Sequence, residues 1–313
     1  MMKKYRMAIL VILVFLCACS PIHMERSQPA HTIGVVLKAM NSQHWLEIRA
    51  GMEQAAADHE AELLLLYPDN EQATEEQDEL IRTLLGSSVD ALLVAPCNSY
   101  HTAWFAAQAE EHDILCLTVD TRAYDSTLPY IGADNAAIGC MVADYLAENL
   151  GEDSFVGIIA GSTQQSPHID RITGFQNQLD IQRSAVSVEI RHTDSSFAQG
   201  LEQAQLFLSR PDCGALFCTN AVMGLAAAQV QAQLGTDAQI VAVDTQDDAL
   251  YAVRDGKIDA LVTQSGYDIG YQAVDAAIDA LERGEEPESR LLSSQLLTQE
   301  NIAEFIKQYR AEE

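Results

Sequence analysis

Residues 32–67 read TIGVVLKAMNSQHWLEIRAGMEQAAADHEAELLLLY. Two short apolar runs, TIGVVL and ELLLLY, flank a stretch from Trp45 to His59 whose apolar residues recur at helical spacing. A continuous apolar run suits a parallel strand covered on both faces better than a strand with one wet face. The unit is therefore strand, helix, strand. The same alternation continues through ALLVAP, ILCLTV, FVGIIA, AVSVEI, GALFC, QIVAV and DALVT, with helical stretches at Thr74 to Leu85, Ala136 to Leu150 and Tyr267 to Glu282. Strands alternating with helices imply an α/β fold built on parallel sheets. The acidic cluster EEQDE at residues 75–79 falls inside one helical stretch and reads as a solvated face rather than a metal site.

Working back from residue 32, SPIHMERSQPAH (20–31) has two prolines and no apolar period, and reads as a tether. Before it, Lys3, Lys4 and Arg6 precede an apolar run from Met7 to Leu16 that ends at small residues, the layout of an export signal. The run is too short for a comfortable membrane span, which needs roughly 20 apolar residues. The order Leu16, Cys17, Ala18, Cys19 resembles the bacterial lipobox, with Cys17 a mild departure. That resemblance implies cleavage after residue 18 and a diacylglycerol on Cys19, often with an amide-linked acyl chain. The alternative is an ordinary cleaved signal.

The chain carries 18 basic and 46 acidic residues, a net charge of -28. Loss of Lys3, Lys4 and Arg6 with the signal leaves 15 basic residues and a net charge of -31. Such a surface repels nucleic acid and anionic lipid headgroups, so the membrane is expected to hold the chain through its lipid alone. A mature chain of just under three hundred residues exceeds one ordinary core, so two lobes are expected. Five cysteines remain beyond the anchor, Cys97, Cys116, Cys140, Cys213 and Cys218. An odd number cannot fully pair within one chain, and their apolar neighbours mark most of them as small buried hydrophobes.

Enzyme signatures are missing from the sequence. The first strand runs into LKAMNSQHW with no glycine-rich turn for a dinucleotide, and GIIAGS reads as a strand and its exit loop. No GxxxxGK[ST], GxSxG, HExxH or CxxC occurs, so neither catalysis, a cofactor nor a metal is expected.

The ordered segments VDALLVAP, LTVDT, YIGADNAAIGCMVADYL, GALFCTNAVMGLAAA and IVAVDTQDDALYAVRDGKIDALVTQ, following the opening unit, resemble the type I periplasmic sugar-binding proteins over nearly all of residues 32–300. The resemblance implies two Rossmann-like lobes joined by three hinge crossings, with a ligand between them at the carboxyl ends of the strands. Carried across, it puts residues 32–133 and 265–293 in one lobe and 134–264 and 294–313 in the other. The hinges then fall near Ala133, Gln264 and Ser293.

The family's site pattern falls on Lys38, Ser42, His44 and Trp45 after the first strand, where it has polar contacts and aromatic walls. A tryptophan here either stacks on the apolar face of a sugar or packs into the core. Asp120 and Asp244 match the family's strand-end aspartates, with Thr121 beside the first. A carboxylate accepts two hydroxyl hydrogens at once, which suits a polyol. Asn220 and Gln264 offer donors and acceptors, with turn capping as the alternative. Ribose-binding members supply two arginines. Here Thr121 and Ile169 occupy those places, with Arg122 one residue beyond the first, and Arg171 aligns with a structural arginine at a helix start. Lys38 either meets an anionic ligand group or pairs with Asp120. Ribose itself is therefore not the expected ligand.

The implied function is lipid-anchored, extracytoplasmic capture of a small polar solute, a sugar or sugar-like compound, by a monomer that serves an ABC permease. The alternative is a sensor whose closed form is read by a chemoreceptor or kinase. No helix-turn-helix precedes residue 32, which disfavours a transcription regulator of this fold.

Overall fold

The computed structural model describes residues 30–151, 154–183 and 185–312. The expected export signal, the acylated Cys19 and the tether up to residue 29 lie outside the described residues. The first sheet takes β1 (Thr32–Val36), β2 (Glu62–Leu66), β3 (Ala91–Val94), β4 (Leu115–Val119) and β5 (Tyr130–Ala133). The second takes β6 (Phe155–Ala160), β7 (Ser187–His192), β8 (Cys213–Cys218), β9 (Gln239–Val243) and β10 (Ala260–Val262). Then β11 (Arg290–Leu292) returns to the first sheet and β12 (Leu296–Thr298) to the second.

The strand orders are the same by position, β11-β5-β4-β3-β1-β2 and β12-β10-β9-β8-β6-β7. Every neighbouring pair is parallel except β10 with β12. The continuous apolar runs follow from this arrangement, because a strand between parallel neighbours has helices on both faces. Residues 91–94 of β3 are all buried, whereas the outermost β7, SVEIRH, is partly exposed and pairs Arg191 with Glu189 at its surface.

The helices are α1 (Gln43–Asp58), α2 (Thr74–Leu85), α3 (Ala103–Glu111), α4 (Asn135–Asn149), α5 (Ser166–Arg183), α6 (Phe197–Leu208), α7 (Ala221–Leu234), α8 (Asp247–Arg254), α9 (Gly266–Arg283) and α10 (Ile302–Glu312). In the first lobe Ile33, Val35 and Leu93 face α1 and α9, while Val36, Leu92 and Val94 face α2 and α3. In the second, Ile159, Leu216 and Ile240 face α6, α7 and α8. Val156, Ile158 and Phe217 face α4 and α5. The acidic residues of the 75–79 cluster are exposed or half-exposed, while Gln77 turns inward. Its amide spans the exits of two strands, donating to Leu37 O and Ala95 O and accepting from Cys97 N.

The chain passes between sheets three times, from β5 into α4, from β10 into α9 and from β11 into β12. In each lobe the helix that receives a crossing lies unusually close to the helix that follows the first strand of that lobe's sheet. A Cβ on Gly51 of α1 would stand 2.0 Å from Tyr267 O of α9, and one on Gly139 of α4 would stand 2.1 Å from Arg171 O of α5. Only glycine permits that approach. Of the cysteines, Cys97, Cys116 and Cys218 are buried and none of the five forms a disulfide.

Candidate ligand-binding cleft

Parallel strands deliver their carboxyl ends to one edge of each sheet, and the two edges face one another across a cleft of about 350 Å³. That volume is at the lower end of small-molecule sites. From the first lobe come Lys38 beyond β1, Ser42, His44 and Trp45 at the start of α1, Asn70 to Gln72 beyond β2 and Asp120 beyond β4. From the second come Asn220, Asp244 and Gln264 beyond β8, β9 and β10, with His168 and Arg171 on α5 and Asp194 to Phe197 beyond β7.

The two aspartates share a backbone feature. Asp120 has φ 60° and Asp244 φ 92°, so both strands end on an L-residue in left-handed territory. Such a residue costs of order 1–3 kcal/mol and persists where its surroundings over-determine it. The turn places a carboxylate at the mouth of each sheet, and the two carboxylates are tuned oppositely. Burial pushes Asp120 up, but the Lys38 charge and the His44 bond outweigh it and hold the carboxyl well below its ordinary range. Lys38 Nζ lies 3.6 Å from Asp120 Oδ2, and His44 Nε2 lies 2.7 Å from Oδ1. Burial would lower His44, yet the bond and charge of Asp120 raise it above its ordinary value. Asp244 is raised, chiefly by burial, with Arg171 Nη1 3.9 Å away opposing only part of that effect.

Arg171 is the arginine the cleft contains. Its guanidinium donates to Asn135 Oδ1 at 2.8 Å, Thr219 O at 2.5 Å and Gln264 Oε1 at 2.6 Å. The structural arginine expected at the helix start ties α4 and two strand ends of the second sheet together and, one turn into α5, also lines the cleft. Its bond to Oε1 turns the amide nitrogen of Gln264 toward His44 Nε2, 3.1 Å away, and Asp244 Oδ1, 3.4 Å away. With His44 Nε2 donating to Asp120, that nitrogen has no acceptor on the histidine. Gln264 therefore retains a donor for the cleft.

The other expected residues divide. Lys38 pairs internally with Asp120, and its ammonium also lies 5.1 Å from the Trp45 ring centre. Trp45 is 2 % exposed, with most of its ring in the first-lobe core, an edge on the cleft and Nε1 bonded to Glu71 Oε1 at 2.8 Å. Ser42 stands at the cap position of α1 but makes no side-chain cap bond, so its hydroxyl is available. Asn220 combines both readings: Oδ1 caps α7 through Met223 N at 2.8 Å while the residue lines the cleft. Thr121 is corrected. It is fully buried behind the wall, and its hydroxyl is used on Asp120 Oδ2 at 2.9 Å.

Sequence reasoning missed His168, Glu71 and Phe197. Burial first, then the charges of Arg171 and Lys38, push His168 well below its ordinary value, which leaves a neutral imidazole bonded to Thr219 Oγ1 at 2.8 Å. Phe197, at the start of α6, is a large apolar side chain 39 % exposed at the cleft. An exposed aromatic at a helix start after an edge strand was the available signal. Around the rim the lobes touch directly. Gln43 Oε1 accepts Asp247 N at 3.0 Å, Glu47 Oε1 accepts the Tyr309 hydroxyl at 2.8 Å, and Gln72 Nε2 donates to Asp194 O at 3.3 Å. The cleft is thus in a closed arrangement.

Residues 33–286 match the model of the periplasmic binding protein domain. A ribose import binding protein of Bacillus subtilis is 27% identical over 290 residues, covering 90% of this chain and 94% of that protein. A D-allose-binding periplasmic protein of Escherichia coli is 25% identical over 283 residues, covering 85% and 91%. Among solved structures, a carbohydrate transporter solute binding protein from Agrobacterium radiobacter in complex with D-arabinose has a TM-score of 0.83 at 22% identity, covering 91% of this chain and 99% of that one. With its two parallel-sheet lobes, three crossings and cleft at the strand ends, the chain belongs to the periplasmic binding protein family, in its type I form.

Proposed function

We propose that the protein captures an uncharged polyhydroxy compound, a sugar or sugar-like solute, in this cleft and delivers it to an ABC-type importer. The observation that carries this reading is the pair Asp120 and Asp244, two acceptor groups aimed into one small cleft from opposite lobes. A carboxylate takes hydroxyl donors well, and a site built for hydroxyls rejects analogues that leave its polar groups unpaired. Lys38 and His44 both hold Asp120, and Arg171 faces Asp244, so each buried carboxylate already has a cationic partner and a neutral ligand separates none of these pairs. Phe197 and the edge of Trp45 supply apolar surface for the C–H face of a ring. The sugars of these relatives, ribose, D-allose and D-arabinose, support the class.

In this reading the lobes are residues 32–133 with 265–293 and 134–264 with 294–313, turning about Ala133, Gln264 and Ser293. Hinge closure around a ligand is a known motion of two-lobed proteins. Export and acylation of Cys19 hold the protein at the extracytoplasmic face of the cell membrane, where it works as a monomer. Replacing Cys19 by Ala is expected to release it from the membrane fraction.

Thermal shift of residues 24–313 against pentoses, hexoses, inositols, sugar acids, nucleosides and amino acids tests the ligand class. A compound that binds only the folded state raises the melting temperature by mass action. A neutral sugar or inositol is expected to give the largest shift. A shift confined to amino acids or nucleosides would exclude the reading.

A further inference from the structure

Gln165 belongs to the exit loop of β6, just before α5. It is fully buried, yet it does not line the cleft. Its carbonyl accepts Ile169 N, which puts it at the start of the helix, where short polar side chains usually cap the chain's own N–H groups. The Gln165 side chain leaves its own lobe instead. Its Oε1 accepts from Lys38 Nζ at 3.4 Å, and its Nε2 donates to Glu71 O at 3.0 Å. Both atoms of one amide are therefore spent on the opposite lobe, and both are held by residues that line the cleft.

Those partners are in turn tied to the site. Lys38 is also held by Asp120, and the Glu71 carboxylate takes the Trp45 indole N–H. Beside Gln165 the same loop and the first residue of α5 make further interlobe bonds, Ser99 N to Gln164 O at 2.8 Å and Arg122 N to Ser166 Oγ at 2.7 Å. Those neighbours join neutral groups, whereas Gln165 meets an ammonium, and hydrogen bonds to charged groups contribute more than neutral ones.

We propose that Gln165 is a positioning residue that latches the closed form and couples it to occupancy of the cleft through Lys38 and Asp120. The proposal rests on the reading that the cleft takes a small polyhydroxy ligand. Hydroxyls bound to Asp120 fix the carboxylate that presents Lys38, and Lys38 then offers Gln165 a fixed donor. When the lobes part, the Gln165 amide returns to water and Lys38 keeps only its partners on the first lobe.

The test compares wild type with Gln165→Leu, which removes both bonds at similar volume, in residues 24–313, which contain every strand and helix described. Small-angle scattering reports the compact form with and without D-ribose, D-allose, D-arabinose and myo-inositol, and stopped-flow tryptophan fluorescence reports release. The variant, verified as folded by circular dichroism, is expected to lose compact form and to release sugar about tenfold faster. Equal compactness and equal release in the two proteins would overturn the latch. If no sugar binds wild type, the ligand reading fails separately, and the ligand-free scattering decides: loss of compact form in Gln165→Leu upholds the latch, and identical curves overturn it.

Discussion

His44 Nε2 lies 2.7 Å from Asp120 Oδ1, and both side chains are buried between α1 and the end of β4. The pair has a definite pH signature. His44 is raised above 6.5, so its contribution to stability is complete below that value and is lost as pH rises through the folded-state pKa. Asp120 is held below 3.8, so its contribution is complete above that value and is lost as pH falls through the depressed pKa. Between the two ordinary values both are charged. The melting-temperature gap between wild type and His44→Gln is therefore expected to be widest there and to narrow on the alkaline side. A gap independent of pH would show that the two groups do not form an ion pair.

Arg171 offers a test of the opposite lobe. Arg171→Met leaves Asp244 without its cation and Asn135 Oδ1, Thr219 O and Gln264 Oε1 without their buried donor, and loss of one partner from such a set costs about 3–5 kcal/mol. Because Asp244 is raised chiefly by burial, it neutralises readily once its cation is gone. The loss seen by urea unfolding is therefore expected to shrink from its value at neutrality as pH falls toward the ordinary carboxylate range.

The glycine contacts test whether the crossings are rigidly attached. Gly51→Ala and Gly139→Ala each drive a methyl into backbone of the adjoining helix, at 2.0 and 2.1 Å. Each is expected to lower stability by about 1–3 kcal/mol in urea unfolding. Gly86→Ala, whose nearest contact is 3.4 Å and whose φ is -82°, is expected to stay within about 0.5 kcal/mol.

Most of the scaffold was legible because parallel strands need unbroken apolar runs, and nine such runs are present as strands. β5, β11 and β12 were not among those runs; β11 and β12 are placed by their pairing with β5 and β10 across the last crossing. In the cleft, strand-end residues such as Asp120, Asp244 and Gln264 were legible because topology alone brings strand ends together. Arg171 was not, since its reach depends on the rotation of α5 and on the close approach of α4 at Gly139. Thr121 was misplaced because adjacent residues at a strand end turn to different sides, and only Asp120 has the left-handed turn into the cleft. Lys38 could be assigned only once its distance to Asp120 was known.

The most direct test of the central claim is calorimetric titration of Asp120→Asn and Asp244→Asn with the sugar or inositol that gives wild type its largest thermal shift. Each substitution removes a charged acceptor from one side of the cleft, and hydrogen bonds to charged groups contribute about 1.5–3 kcal/mol apiece. With folding verified by circular dichroism, both variants are expected to bind about tenfold to a hundredfold more weakly than wild type. Wild-type affinity in both would contradict the account and put the binding site elsewhere.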